Sequence, residues 1–173
     1  LLLQLLAVSF LAGAAGRPAV SGGERAPERW VLVIDRSASM SARDGARGAT
    51  RLEEAIEEAE TIVRRMGTGE RAMIASVAHS ARLEAAMTPD RGVLLAALDG
   101  IEGTDQPANL RAALELVAAQ LGENASGARV VILSDGGYEG SFGAALGDSE
   151  VRFARIGPPE NERSENTGVV ALS

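Results

Sequence analysis

Residues 30–40, WVLVIDRSASM, decide how the rest of the chain is read. Trp30 to Ile34 is a short, unbroken apolar run. Such a run, bounded by turn signals, suits a strand covered on both faces, as in a parallel sheet. Asp35 stops the run, and small polar residues follow as far as Ala49, so this stretch reads as a loop. At its start the spacing alternates. Asp35, Ser37 and Ser39 can curl around one point while Arg36 and Ala38 point away. Ligands of open α/β sheets bind beyond the carboxyl ends of the strands. The segment therefore predicts a central strand with a polar site at its end.

Downstream, Thr50 opens the clearest helix, and Glu53 three residues on completes a capping-box pattern. Leu52, Ala55, Ile56, Ala59, Ile62, Val63 and Met66 make one apolar stripe at helical spacing. Gly67 ends the helix in the usual C′ role. Arg71–Val77 and Ala81–Met87 read as strands, joined through Ala78-His79-Ser80 in a hairpin. Helices follow over Asp90–Leu98 and over Asn109–Leu121, the second closed by Gly122. Arg129–Leu133 is another buried strand, leading into Ser134-Asp135-Gly136-Gly137. A weak helix over Ser141–Leu146 and a last strand over Val151–Ile156 complete the pass. Strands alternating with helices predict an α/β fold, a three-layer sandwich around a mostly parallel sheet with one antiparallel edge strand.

The flanks differ in composition. Leu1 to Gly16 is apolar except for Gln4 and Ser9. It falls short of the roughly 20 residues of a spanning helix. It reads as the end of a transmembrane segment, as a signal-peptide core with Ala12-Gly13-Ala14 as cleavage site, or as a buried core helix. The first two readings put the domain beside or across a membrane. Residues 17–28 read as a linker, 29–157 as the domain, and 158–173 as an exit linker to a further region.

Composition excludes several chemistries. There is no cysteine, and His79 is the only histidine, so any metal must be a hard cation held by oxygens. A net charge of −7 argues against nucleic acid, which wants a basic surface. Aromatic residues make up 3% of the chain, too few for a base-stacking platform.

The ends of the two buried strands bring together Asp35, Ser37, Ser39, Ser134 and Asp135. Carboxylate and hydroxyl oxygens suit Mg²⁺ or Mn²⁺, which take roughly six oxygens and keep several waters. Gly136 and Gly137 let the second loop approach closely. Two carboxylates only neutralise a dication, so a bound metal keeps Lewis acidity for an anionic ligand such as a partner's Asp or Glu. The rival reading is that these residues merely cap loops, as Asp and Ser often do. A phosphatase of the haloacid-dehalogenase kind needs a second Asp where Ser37 stands. A serine hydrolase needs a base, and His79 lies in the hairpin. No glycine-rich phosphate loop with lysine is present. The chain is not expected to be an enzyme.

Asp35-x-Ser37-x-Ser39 after an apolar strand, with Ser134-Asp135-Gly136 after a later one, resembles the metal-ion-dependent adhesion site of von Willebrand factor A domains. The resemblance spans about Trp30 to Ile156 and implies a Rossmann-like fold that binds other proteins. It casts Ser37 and Ser39 as direct ligands of Mg²⁺ or Mn²⁺, and Asp35 and Asp135 as inner- or outer-shell carboxylates. The family's third motif carries a threonine where this chain has Ala108, ahead of Asn109-Leu110. Metal affinity is therefore expected to be weakened, unless Thr104 substitutes. A metal-free scaffold with a degenerate site is the alternative. The apolar start, the Arg-Pro that follows it and VLVIDRSASM also resemble bacterial membrane proteins of the aerotolerance (Bat) type. That likeness implies a membrane-anchored, extracytoplasmic (periplasmic) domain in a complex linked to a MoxR-type AAA+ ATPase.

Overall fold

The computed structural model describes residues 28–45, 48–122, 127–136, 146 and 149–158. The apolar run over 1–16, the linker as far as 27, the weak helix over 141–145 and the exit linker from 159 lie outside them. Among the described residues, five strands form one sheet: β1 (Arg29–Asp35), β2 (Arg71–Val77), β3 (Ala81–Thr88), β4 (Ala128–Ser134) and β5 (Glu150–Arg155). Their spatial order is β3-β2-β1-β4-β5, and β3 alone runs antiparallel to its neighbour. The helices are α1 (Arg51–Arg65), α2 (Arg91–Asp99) and α3 (Leu110–Leu121).

β1 lies at the centre because its residues serve both faces. Val31, Leu32, Val33 and Ile34 are wholly buried. Leu32 and Ile34 pack with Leu52, Ala55, Ala59 and Val63 of α1 and with Leu94 and Leu98 of α2. Val31 and Val33 face the other way, toward Leu110, Ala113, Leu114 and Val117 of α3. Leu146 is buried in that second layer. Each such side chain contributes about 1.5–3 kcal/mol on leaving water, so a strand apolar on both faces is driven to the middle of three layers.

Local signals set the element ends. The Thr50 hydroxyl accepts from the Glu53 amide at 3.1 Å, and the Glu53 carboxylate accepts from the Thr50 amide at 2.6 Å. Asp90 and Asn109 cap α2 and α3 through their side chains. The exit from α1 differs from expectation. Met66 already leaves the helix at φ −52° and ψ 135°. Gly67 is not left-handed, and its N–H donates to the Glu70 carboxylate at 2.9 Å. A side chain thus does what a left-handed glycine would otherwise do. His79 is exposed in the β2–β3 hairpin, where the Ala78 amide donates to the Ser80 carbonyl.

This topology positions the site. From β1 the chain passes through α1 to β2 on one side, while β4 and β5 lie on the other. The order therefore reverses between β1 and β4, the kind of switch point beyond whose carboxyl ends open α/β sheets bind ligands.

The capping box generates a test. Glu53 is held below the ordinary glutamate range, chiefly by the Thr50 amide, then by the Thr50 side chain, and also by the charge of Arg43. A carboxylate with a lowered folded pKa adds stability above its unfolded value of about 4.3 and loses it as pH falls through the folded value. In urea unfolding, Thr50→Ala should cost about 1 kcal/mol at pH 7. Glu53→Ala should also destabilise at pH 7, and its deficit should shrink as pH drops below about 4.3. A deficit constant to pH 2 would contradict the ionic cap.

Candidate metal site at the carboxyl edge of the sheet

Asp35 closes β1 and is 1% exposed. Its Oδ1 accepts from the Ser37 amide at 2.9 Å, and its Oδ2 accepts from the Ser134 hydroxyl at 2.6 Å. Ser134 closes β4, the parallel neighbour. Each oxygen of this buried carboxylate thus has a donor, as burial of a charge requires. Ser37 and Ser39 bring their hydroxyl oxygens within 3.3 Å of each other.

Residues 38–41 form a 3-10 turn, pinned by the wholly buried Met40. The alternation expected of extended chain therefore ends at Ser37. Arg36 does turn away, and its Nη1 donates to the Glu102 carbonyl at 3.2 Å. Ala38 does not: it lines the same cavity as the serines. That cavity, about 330 Å³, is bounded by Asp35, Ser37, Ser39, Ala108, Ser134 and Asp135 among others. A larger hollow of about 600 Å³ lies between α1 and β5, but Glu57 and Glu58 there are exposed and solvated, so volume alone does not locate the chemistry.

The loop between α2 and α3 completes the wall. The Thr104 amide donates to the Arg36 carbonyl at 3.0 Å, and the Gln106 carbonyl accepts from the Ala38 amide at 2.9 Å. These bonds carry Ala108 to the cavity and leave Thr104 outside its lining. The Thr104 hydroxyl accepts from the Gln106 amide at 3.2 Å. Ala108, and not Thr104, therefore lines the cavity that holds the serines.

Asp135 follows β4 and is 5% exposed. Its Oδ2 accepts from Arg51 Nη1 at 2.6 Å. Arg51 is also forked onto Asp44, with Nε to Oδ1 at 2.8 Å and a second, shorter bond from Nη2. Hydrogen bonding to Asp44 above all, and the charges of Asp44 and Asp135, raise the Arg51 pKa against desolvation. Sequence reasoning missed Arg51 and Asp44, because Arg51 and Asp135 lie 84 residues apart. One signal was available: Arg51 is the first residue of α1, where a cation opposes the helix dipole. Gly136 adopts φ +92°, which glycine alone adopts freely. A Cβ there would approach the Arg155 guanidinium at no less than 3.6 Å, so conformation rather than space demands the glycine. Gly137 lies outside the described residues.

The oxygens present fit a hard dication. Two ligands at right angles on Mg²⁺ are roughly 3.0 Å apart, given Mg–O distances of about 2.1 Å. The 3.3 Å between the serine hydroxyls is compatible with that spacing. Among the described residues no cluster of three or more carboxylate or imidazole side chains could hold a metal, so hydroxyls and water must supply most of the shell.

The von Willebrand factor type A domain family model matches residues 30–137, more than half of the chain. The chain belongs to this family. Its von Willebrand A domain has the fold expected of the family, and such domains generally serve as protein-interaction modules. It is similar in structure to an aerotolerance-related membrane protein from Bacteroides fragilis, with a TM-score of 0.64 and 21% identity over 85% of this chain and 81% of that one. It is also similar to BatB from Bacteroides thetaiotaomicron, with a TM-score of 0.62 and 20% identity over 73% and 65% of the two chains. Three N-terminal domains of the type V pilus tip protein Mfa5 from Porphyromonas gingivalis match with a TM-score of 0.54 and 22% identity, over 64% of this chain and 20% of that one. At these identities the likeness is one of fold. No curated sequence matches significantly. Among the described residues no helix is long and apolar enough to cross a membrane, and the run over 1–16 was not among them.

Ser134→Ala leaves Asp35 Oδ2 buried without its donor. It should cost about 2 kcal/mol in urea unfolding at pH 7, the scale of a hydrogen bond to a charged group. An unchanged midpoint would show that this bond does not hold β1 to β4.

Proposed function

We propose that this von Willebrand A domain is a metal-ion-dependent protein-interaction module of a membrane-tethered bacterial protein, facing the periplasm. The supporting observation is the convergence of Asp35, Ser37, Ser39, Ser134 and Asp135 on one cavity at the sheet's switch point. Ser37 and Ser39 would hold Mg²⁺ or Mn²⁺ directly, with Asp35 and Asp135 acting through water. Both Asp35 oxygens already have protein donors, which suits an orienting, outer role. The bound ion would supply Lewis acidity toward a carboxylate of the partner. The apolar run at 1–16 and the fold shared with an aerotolerance-related membrane protein support the tether. The partner would be a protein of a membrane complex linked to a MoxR-type AAA+ ATPase. Acidic net charge speaks against nucleic acid. His79, the only histidine, does not line the cavity and so offers no imidazole base there, which supports binding over catalysis.

The alternative is a metal-free scaffold. Two observations favour it: Ala108 offers no hydroxyl, and Arg51 already neutralises Asp135.

Calorimetric titration with Mg²⁺ and Mn²⁺ tests the choice. Asp35→Ala should abolish binding. Ala108→Thr should strengthen it by about 1–2 kcal/mol, the scale of one added bond to a charged centre. Absence of binding by the unmodified protein at millimolar metal would leave the scaffold reading standing.

A further inference from the structure

Arg51 is a costly residue to place where it is. It sits in the first turn of α1, where the dipole repels a cation, and its side chain is only 12% exposed. Three features hold it there. Asp44 takes two of its donors, Asp135 takes a third, and Gly157 packs against its stem. Gly157 has φ +84°, and a Cβ on it would lie 3.0 Å from Arg51 Nε. The end of β5 is thus shaped around this guanidinium. Helix stability explains none of this, since a neutral residue would serve α1 better.

The carboxylate that Arg51 holds borders the cavity of the serines. We propose that Arg51 is a built-in rival of the divalent ion: by holding Asp135 it weakens metal binding, and Asp44 relieves that hold by sharing the guanidinium. This rests on the metal-site reading above. Either cation can neutralise Asp135, and two positive centres on one buried carboxylate repel. Metal entry therefore has to compete with the Arg51–Asp135 pair, and the balance is tuned from Asp44, which is 32% exposed in its side chain. A partner that engages Asp44 with its own cation would release Arg51 toward Asp135 and loosen the metal.

The two sides of the fork give opposite expectations. Mn²⁺ binding to the full chain, read as loss of the free Mn²⁺ EPR signal, is compared for the unmodified protein, Arg51→Gln and Asp44→Asn. Arg51→Gln should bind Mn²⁺ roughly tenfold more tightly, the effect of removing a nearby like charge. Its melting temperature should be lower in EDTA and rise more on adding Mn²⁺ than that of the unmodified protein. Asp44→Asn should bind several-fold more weakly, and this loss should persist at about 0.5 M salt, which screens effects carried through solvent. Binding only by Arg51→Gln would also support the proposal, since the guanidinium would then have displaced the metal outright. Weaker or unchanged binding by Arg51→Gln overturns it and assigns Arg51 a purely structural role. Should Arg51→Gln fail to fold, Asp44→Asn decides, and unchanged or tighter binding there overturns the proposal. No Mn²⁺ binding by any of the three removes the metal reading itself, whereas binding by the unmodified protein without the two opposed shifts removes this inference alone.

Discussion

The buried carboxylate of Asp35 draws its donors from two separate parts of the chain. One is the amide of Ser37, two residues on; the other is the hydroxyl of Ser134, 99 residues on. A charge that is 1% exposed cannot go unpaired without a penalty of several kcal/mol, so both donors are required by the fold and not merely allowed by it. Meeting that requirement ties the end of β1 to the end of β4 and forces the intervening loop to curl. The curl presents Ser37 and Ser39 on one side and buries Met40 on the other. A motif usually described by its outward chemistry is thus first an inward structural clamp.

The parts that were legible in the sequence share a physical cause: they depend on neighbours within a few residues. Val31 to Ile34 declared a strand covered on both faces because every position is apolar, and all four are wholly buried. Thr50 and Glu53 declared a helix start because their reciprocal bonds span one turn. Asp35, Ser37 and Ser39 could be read as neighbours because their spacing is local, and Asp135 because it follows another buried apolar strand. Smaller misreadings have equally local causes. Gly67 stands where a glycine cap is expected, but the Glu70 side chain reaches back to the same amide. The alternation that would turn Ala38 away is interrupted by a 3-10 turn.

Arg51 was illegible for a different reason. Its partners are set by where α1 starts relative to the end of β4, which is a property of the packed layers and not of any short window. On the helix it reads as one more charged residue among many. Only its position in the first turn, against the dipole, marks it as answering to something outside the helix. Asp44 is hidden further, in a loop that sequence reading treats as undifferentiated polar chain. Residues that tune a site are in general harder to read than residues that form it, because their partners are distant in sequence.

These electrostatics also limit what the edge can recognise. Asp35 and Asp135 are both almost wholly buried, and they sit on the wall of one cavity. A partner carboxylate approaching that wall meets two negative charges of like sign at low local dielectric, which opposes contact. Among the described residues Asp35 takes its two donors from uncharged groups, the Ser37 amide and the Ser134 hydroxyl. Asp135 is paired with Arg51, and that guanidinium is shared with Asp44. A cation held by the serines would favour recognition of a carboxylate, whereas a basic or neutral ligand gains nothing from it. The sign of the favoured partner would in that sense follow from whether the two serines hold a metal.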